Sequence, residues 1–138
     1  MRYMIMVRAN ADSEAGGKPS EELIAEMADY HQELAKAGAL RDACGLAPSS
    51  WGWRIRYSEG KRTIVDGPYA EAKELIAGYT IIDVKSEEEA LEWTKRFPNP
   101  FPNSPQAEIE VRPMKSLDEL GQSEAVERFR RLGVPSQR

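Results

Sequence analysis

The sequence predicts one α+β domain, a ferredoxin-like sandwich of the βαβ type carrying an inserted β-hairpin. Three observations point there. Strand-like and helix-like stretches follow one another as strand, helix, strands, helix, strand. Two alternating segments flank Glu59-Gly60 as a hairpin would. Two strands, 3–8 and 75–84, are apolar on both faces, so each must be covered twice.

Each element has its own reason. In 3–8, Tyr3, Ile5 and Val7 fall on one face and Met4 and Met6 on the other. Residues 10–18, with Gly16-Gly17, read as a loop. Ser20 is placed to cap a helix whose first turn holds Glu21 and Glu22, where the helix dipole favours acids. Leu23, Met27, Tyr30 and Leu34 recur at helical spacing, and Gly38 closes the helix. A second strand, 40–46, ends at Pro48-Ser49-Ser50. Trp51, Trp53, Ile55 and Tyr57 then alternate with Arg54 and Arg56. A two-residue loop at Glu59-Gly60 pairs Trp53 with Asp66 and Ile55 with Ile64, setting the Asp66 carboxylate beside an indole. In 75–84, Gly78 marks a bend or a close approach of backbone. Ser86 and Glu89 form a capping box for a second helix with Ala90, Trp93, Thr94 and Phe97 facing inward, and Pro98 and Pro100 stop it. A last strand, 107–112, completes the domain at 113. The tail, 114–138, carries a short amphipathic helix over 123–132. Two helices cover one face of such a sheet. A second copy packed on the other face would dry it, which predicts a homodimer.

Composition bounds the function. The 138 residues, 41% hydrophobic and 30% charged, suit one soluble domain with a real core. A net charge of −4 and a pI near 5.2 argue against direct, sequence-independent nucleic-acid binding. One cysteine, Cys44, and one histidine, His31, leave no disulfide and no zinc set, and no cofactor motif is present. The apolar start, 1–7, is too short for a signal peptide or a membrane span, so the reading is cytoplasmic, with no membrane partner.

Chemistry concentrates behind the corner Asp66-Gly67-Pro68. Gly67 can take φ > 0, Pro68 fixes its own φ, and Asp66 can accept from nearby backbone N–H groups. Tyr69, Glu71 and Lys73 follow at once, either lining a pocket or forming a solvated connection. In a pocket between the first helix and the sheet, Asp66 would be the acid, base or acceptor. Tyr69 and Lys73 would orient a small-molecule ligand, with Glu71 and Trp53 as further contacts. His31, on the border of its helix's apolar stripe, is either a general base facing that cleft or a histidine bridging core and solvent. Cys44 reads as a structural thiol, and Arg54, Arg56 and Arg62 as the wet face of the hairpin or an anion site.

Several segments together resemble a known family. They are Arg2-Tyr3-Met4, Pro19-Ser20-Glu21-Glu22-Leu23, Gly45-Leu46 with Pro48-Ser49-Ser50, and Asp66-Gly67-Pro68-Tyr69-Ala70-Glu71 with Lys73-Glu74. Gly78-Tyr79, Ala90-Leu91-Glu92-Trp93, Pro98-Asn99-Pro100 and Glu110-Val111-Arg112-Pro113 extend the match. The chain resembles the DGPF branch of the YCII-related family. That resemblance implies a dimeric α+β barrel and leaves the reaction open. YCII-type relatives carry a proposed catalytic His–Asp pair, whose places fall near Met27 and Phe97 here, so the pair is not carried over. Many DGPF relatives also have an acid and a histidine where this chain has Cys44 and Ala47. Relatives of this branch are often encoded beside alternative sigma factors, which implies a non-catalytic regulatory or interaction role as the alternative to an enzyme.

Overall fold

In the computed structural model, which describes residues 1–134, four strands form one antiparallel sheet. These are β1 (Arg2–Arg8), β2 (Leu40–Gly45), β5 (Ile76–Asp83) and β6 (Ile109–Pro113), in the order β2-β5-β1-β6. β1 pairs with β5 through Tyr3–Ile82 and Ile5–Thr80, and with β6 through Ile5–Val111. α2 (Glu21–Lys36) and α3 (Glu87–Lys95) connect the strands. This is the split βαβ arrangement of a ferredoxin-like sandwich. The inserted hairpin, β3 (Trp53–Ser58) and β4 (Lys61–Asp66), stands as a separate two-stranded sheet. The expected tail continues past 134, beyond the described residues; up to there it holds α4 (Glu124–Arg131), capped by Ser123.

The core forms where the apolar periodicities meet. Tyr3, Ile5 and Ile82 from one sheet face pack with Tyr30 and Leu34 of α2 and Ala90 and Trp93 of α3. Tyr30 crosses Trp93 and Phe97 edge-on, and its hydroxyl donates to the Trp93 carbonyl at 2.8 Å, tying the two helices together. Ser20 Oγ caps α2 by accepting from Leu23 N–H, and Gly38 takes φ +72° beyond its end. On the opposite sheet face Met6 is buried, and Met4, Tyr79 and Ile81 are half-buried.

Three local expectations are corrected. Residues 10–18 are not wholly loop, because Asn10 and Ser13 cap each other and wind the short helix α1 (Ala11–Glu14). Trp51 belongs to a 3-10 turn, Ser49–Trp51, rather than to β3, since Trp51 N–H and Gly52 N–H bond back to Pro48 and Ser49. Ser86 caps α3, but Glu89 reaches past it to Lys85 N–H, so the box is open on one side.

The hairpin pairs as expected, with Trp53 opposite Asp66 and Ile55 opposite Ile64. Its loop is a two-residue turn with both φ positive, Glu59 at 51° and Gly60 at 74°, which matches the twist of the strands. The corner behind it departs from expectation. Gly67 does not take positive φ; it is needed for space. The Gly67–Pro68 peptide is cis, and a Cβ at Gly67 would run into the Ser49 backbone carbonyl.

Two predictions follow from this packing. Gly67→Ala should destabilise by about 1–3 kcal/mol, because backbone rather than a movable side chain blocks the new methyl. Gly45→Ala, with nothing within 4 Å of its Cβ, should melt close to wild type. Equal melting of all three proteins would show that the corner yields. Burial raises the Tyr30 pKa from its ordinary 10.0 to about 12, against a smaller lowering by Arg96. Between those values the unfolded chain loses a proton that the folded chain keeps, so this stabilisation is complete below pH 10 and lost as pH rises toward 12. Tyr30→Phe should cost about 1 kcal/mol at neutral pH. It should also flatten the alkaline decline in denaturation midpoint; an unchanged decline would contradict the assignment.

Candidate functional site

The sequence leaves a hollow between α2 and the β2–β5 side of the sheet. Ala43 and Gly45 of β2 and Ala77 and Gly78 of β5 present little or no side chain there, and Gly45 pairs directly with Gly78. The strands are close enough that a Cβ on Gly78 would stand 3.0 Å from the Cys44 carbonyl, so this is the close backbone approach expected at Gly78. Above this floor, Leu23, Ile24, Met27 and Ala28 of α2 form the roof, and Phe97 and Phe101 one end. The cavity is about 620 Å³, in the range of small-molecule sites. Its rim is the segment from α1 to Pro19, including Asp12, Ser13 and Lys18. A second hollow of about 510 Å³ shares Asp12, Lys18, Leu23 and Phe101 with it and runs on past Asn10, Asn103 and Ser104.

His31 brings an imidazole to the lining of the main cavity. Nδ1 lies 2.7 Å from the Met27 carbonyl oxygen one turn earlier, and Nε2 lies 2.8 Å from Thr80 Oγ1 on β5. A carbonyl only accepts, so Nδ1 carries the proton of the neutral ring. Nε2 then holds the lone pair and accepts from the Thr80 hydroxyl. The ring is further held edge-on by Tyr30 and Phe97, at centroid distances of 5.4 and 6.2 Å. A nitrogen that accepts a hydrogen bond, in a ring whose neutral tautomer is set by the Met27 carbonyl, thus stands in a mostly apolar cavity.

The other sequence-predicted residues gather elsewhere. Asp66, Trp53, Tyr69, Glu71 and Lys73 lie at the hairpin base and corner, and none of them lines the main cavity. Among the described residues, the side chains of Asp66, Glu71 and Lys73 make no hydrogen bond or ion pair, so the corner does not use the Asp66 carboxylate as an Asx cap. What the fold uses of Lys73 is its carbonyl, which accepts from the Arg8 guanidinium, itself paired with Glu110. Tyr69 donates its hydroxyl to the Val65 carbonyl at 2.8 Å and takes Arg54 on its ring face at 3.6 Å. Its N–H donates to Ser49 Oγ at 3.2 Å. Ser49 in turn gives its N–H to Glu14 Oε1 at 3.0 Å and its hydroxyl to Glu14 Oε2. The corner is therefore tied to α1, the rim of the His31 cavity.

Thr80, Glu14 and Ser49 escaped the sequence reading. Thr80 had a signal: it is a small hydroxyl in an apolar strand, spaced to share a face with Ile82. Glu14 and Ser49 had none, being 35 residues apart in chain segments without period. The places near which YCII-type relatives would carry a His–Asp pair, Met27 and Phe97, both line this cavity, with His31 one turn from the first. No cluster of three metal-ligating side chains occurs among the described residues, and no helix there is long and apolar enough to cross a membrane.

Comparison with known proteins identifies the family through a domain match. An uncharacterized protein of Rhizobium meliloti (strain 1021) is 31% identical over 94 residues, spanning 68% of this chain and 74% of that protein. Among solved structures, 5-chloro-2-hydroxyhydroquinone dehydrochlorinase (TftG) from Burkholderia phenoliruptrix AC1100, in complex with 2,5-dihydroxybenzoquinone, aligns with a TM-score of 0.45 at 13% identity. The alignment covers 84% of this chain and 95% of that one. The YCII-related domain matches residues 1–115, and the chain belongs to the YCII-related family.

Proposed function

We propose that this protein binds a small molecule in the cavity beneath α2, with an apolar body against Met27 and Phe97 and a polar group at His31. The observation that carries this reading is the His31–Thr80 pair, a lone-pair nitrogen of defined tautomer among apolar walls. A ligand hydroxyl can donate to this nitrogen by displacing the Thr80 hydroxyl, or can bond to Thr80 Oγ1, which stays free to accept. The adjoining hollow, lined by Lys18, Asn103 and Ser104, gives a longer ligand a polar exit. The corner serves this site from outside, holding α1 through Ser49. We place the chain in the DGPF branch on its Asp66-to-Glu71 motif, and in the cytoplasm, where its exposed free thiol, Cys44, would stay reduced.

The test is a thermal-shift and calorimetric screen of small phenols, aromatic and aliphatic acids, and alcohols. It compares wild type with His31→Gln, Ala28→Trp and Asp66→Asn. Ligands of this site should lose roughly tenfold in affinity in His31→Gln, since one hydrogen bond at a charged or polar partner is worth about 1–2 kcal/mol. Ala28→Trp should block them sterically, and Asp66→Asn should bind like wild type. Ligands that weaken in Asp66→Asn and ignore His31→Gln would move the site to the corner. A wild type that binds nothing would leave the interaction-protein reading.

A further inference from the structure

The main cavity is long as well as apolar, and its two ends differ in chemistry. Leu23, Met27 and His31 recur at every fourth position of α2 and line it together. From Leu23 to His31 that wall runs about 12 Å along the helix, at about 1.5 Å per residue. His31 and Thr80 close one end. Lys18, just before α2, stands at the other and lines both the main cavity and the adjoining hollow.

The Lys18 end holds hydrogen-bond donors that the fold does not use. Among the described residues lining the two hollows, Lys18 is the one ammonium and Asp12 the one carboxylate. There the Lys18 ammonium has no hydrogen bond or ion pair, and neither does the Asn103 amide. Ser20 Oγ accepts from Leu23 N–H and keeps its own hydrogen to give. Asp12 does not neutralise the lysine. Its carboxylate lies back against Gly17, where Oδ2 would stand 2.8 Å from an added Cβ, and no ion pair joins it to Lys18. An ammonium, an amide and a hydroxyl around one hollow suit a group with several acceptor oxygens and a negative charge.

We infer that the ligand is an elongated amphipathic carboxylate, with its carboxylate at Lys18 and its chain along Leu23 and Met27 toward His31. This rests on the small-molecule reading above and adds the ligand's class, length and direction. One ammonium balances the single charge of a carboxylate, whereas a phosphate monoester carries nearly twice that charge and suits a site with more cations. A neutral ligand would leave the Lys18 charge unpaired. A compact one would fill only one end of the wall.

The test is calorimetric titration with decanoate, ω-hydroxydecanoate, decanol and decylamine. Wild type should bind decanoate more tightly than decylamine. Lys18→Gln should weaken both carboxylates roughly tenfold, as for one charge-assisted hydrogen bond, and leave decanol unchanged. Lys18→Arg should keep most of the affinity. His31→Gln should weaken decanol and ω-hydroxydecanoate, whose hydroxyl reaches the His31–Thr80 pair, and leave decanoate unchanged. Ala28→Trp, on the wall between the two ends, should block every chain. Carboxylates that bind Lys18→Gln like wild type would overturn the inference, and so would decylamine bound as tightly as decanoate. Decanoate weakened by His31→Gln and not by Lys18→Gln would reverse the ligand and overturn it too. If decanol alone binds, or only the compact ligands of the screen do, the inference fails while the cavity reading stands. Carboxylates that bind Ala28→Trp like wild type would overturn both.

Discussion

The hydrogen bonds of one serine hold the cavity-bearing half of this molecule together. Ser49 gives both of its donors to the Glu14 carboxylate and accepts from Tyr69 N–H, while its carbonyl leaves no room for a side chain at Gly67. Three segments distant in sequence meet there: α1 at the cavity rim, the turn after β2, and the corner after β4. A carboxylate accepting two hydrogen bonds is a stronger tie than either neutral bond alone. Without it, α1 would rest on its own Asn10 cap, and a helix of one turn has little intrinsic stability. The cavity rim therefore depends on the corner, although the corner contributes no lining to the cavity.

The cavity itself comes from a mismatch of residue size. The α2 stripe continues from Leu34 and Tyr30, which meet Ile5 and Ile82 in the core, to Met27 and Leu23. Opposite the latter pair the sheet offers Gly45 and Gly78 in place of large side chains. Core and cavity are thus one helix–sheet interface, filled at one end and left open at the other. His31 and Thr80 stand at the changeover, where a polar pair can be satisfied without being sealed from a ligand.

Much of the fold was legible because it rests on local rules. The helix caps at Ser20 and Ser86, the Glu59-Gly60 turn and the register it imposes all follow from short-range chemistry. The apolar residues of β1 and β5 announced the sheet face that α2 and α3 cover. The site was legible only in part. The conspicuous cluster after Asp66 drew attention to a polar pocket, but Asp66, Glu71 and Lys73 are exposed around a corner shaped by steric contact with Ser49. His31 was a candidate from the sequence, yet the Thr80 hydroxyl it meets is 49 residues away, and no local pattern pairs them. Long-range pairing of side chains is the part of this structure that periodicity and turn chemistry do not encode.

Since the chain has a single histidine, one nitrogen-detected NMR spectrum tests the central claim directly. The account predicts that the neutral His31 ring is protonated at Nδ1, that Thr80→Val perturbs Nε2, and that ligands from the screen shift the same nitrogen. A ring protonated at Nε2, or one whose resonances stay fixed while ligand binds, would contradict it.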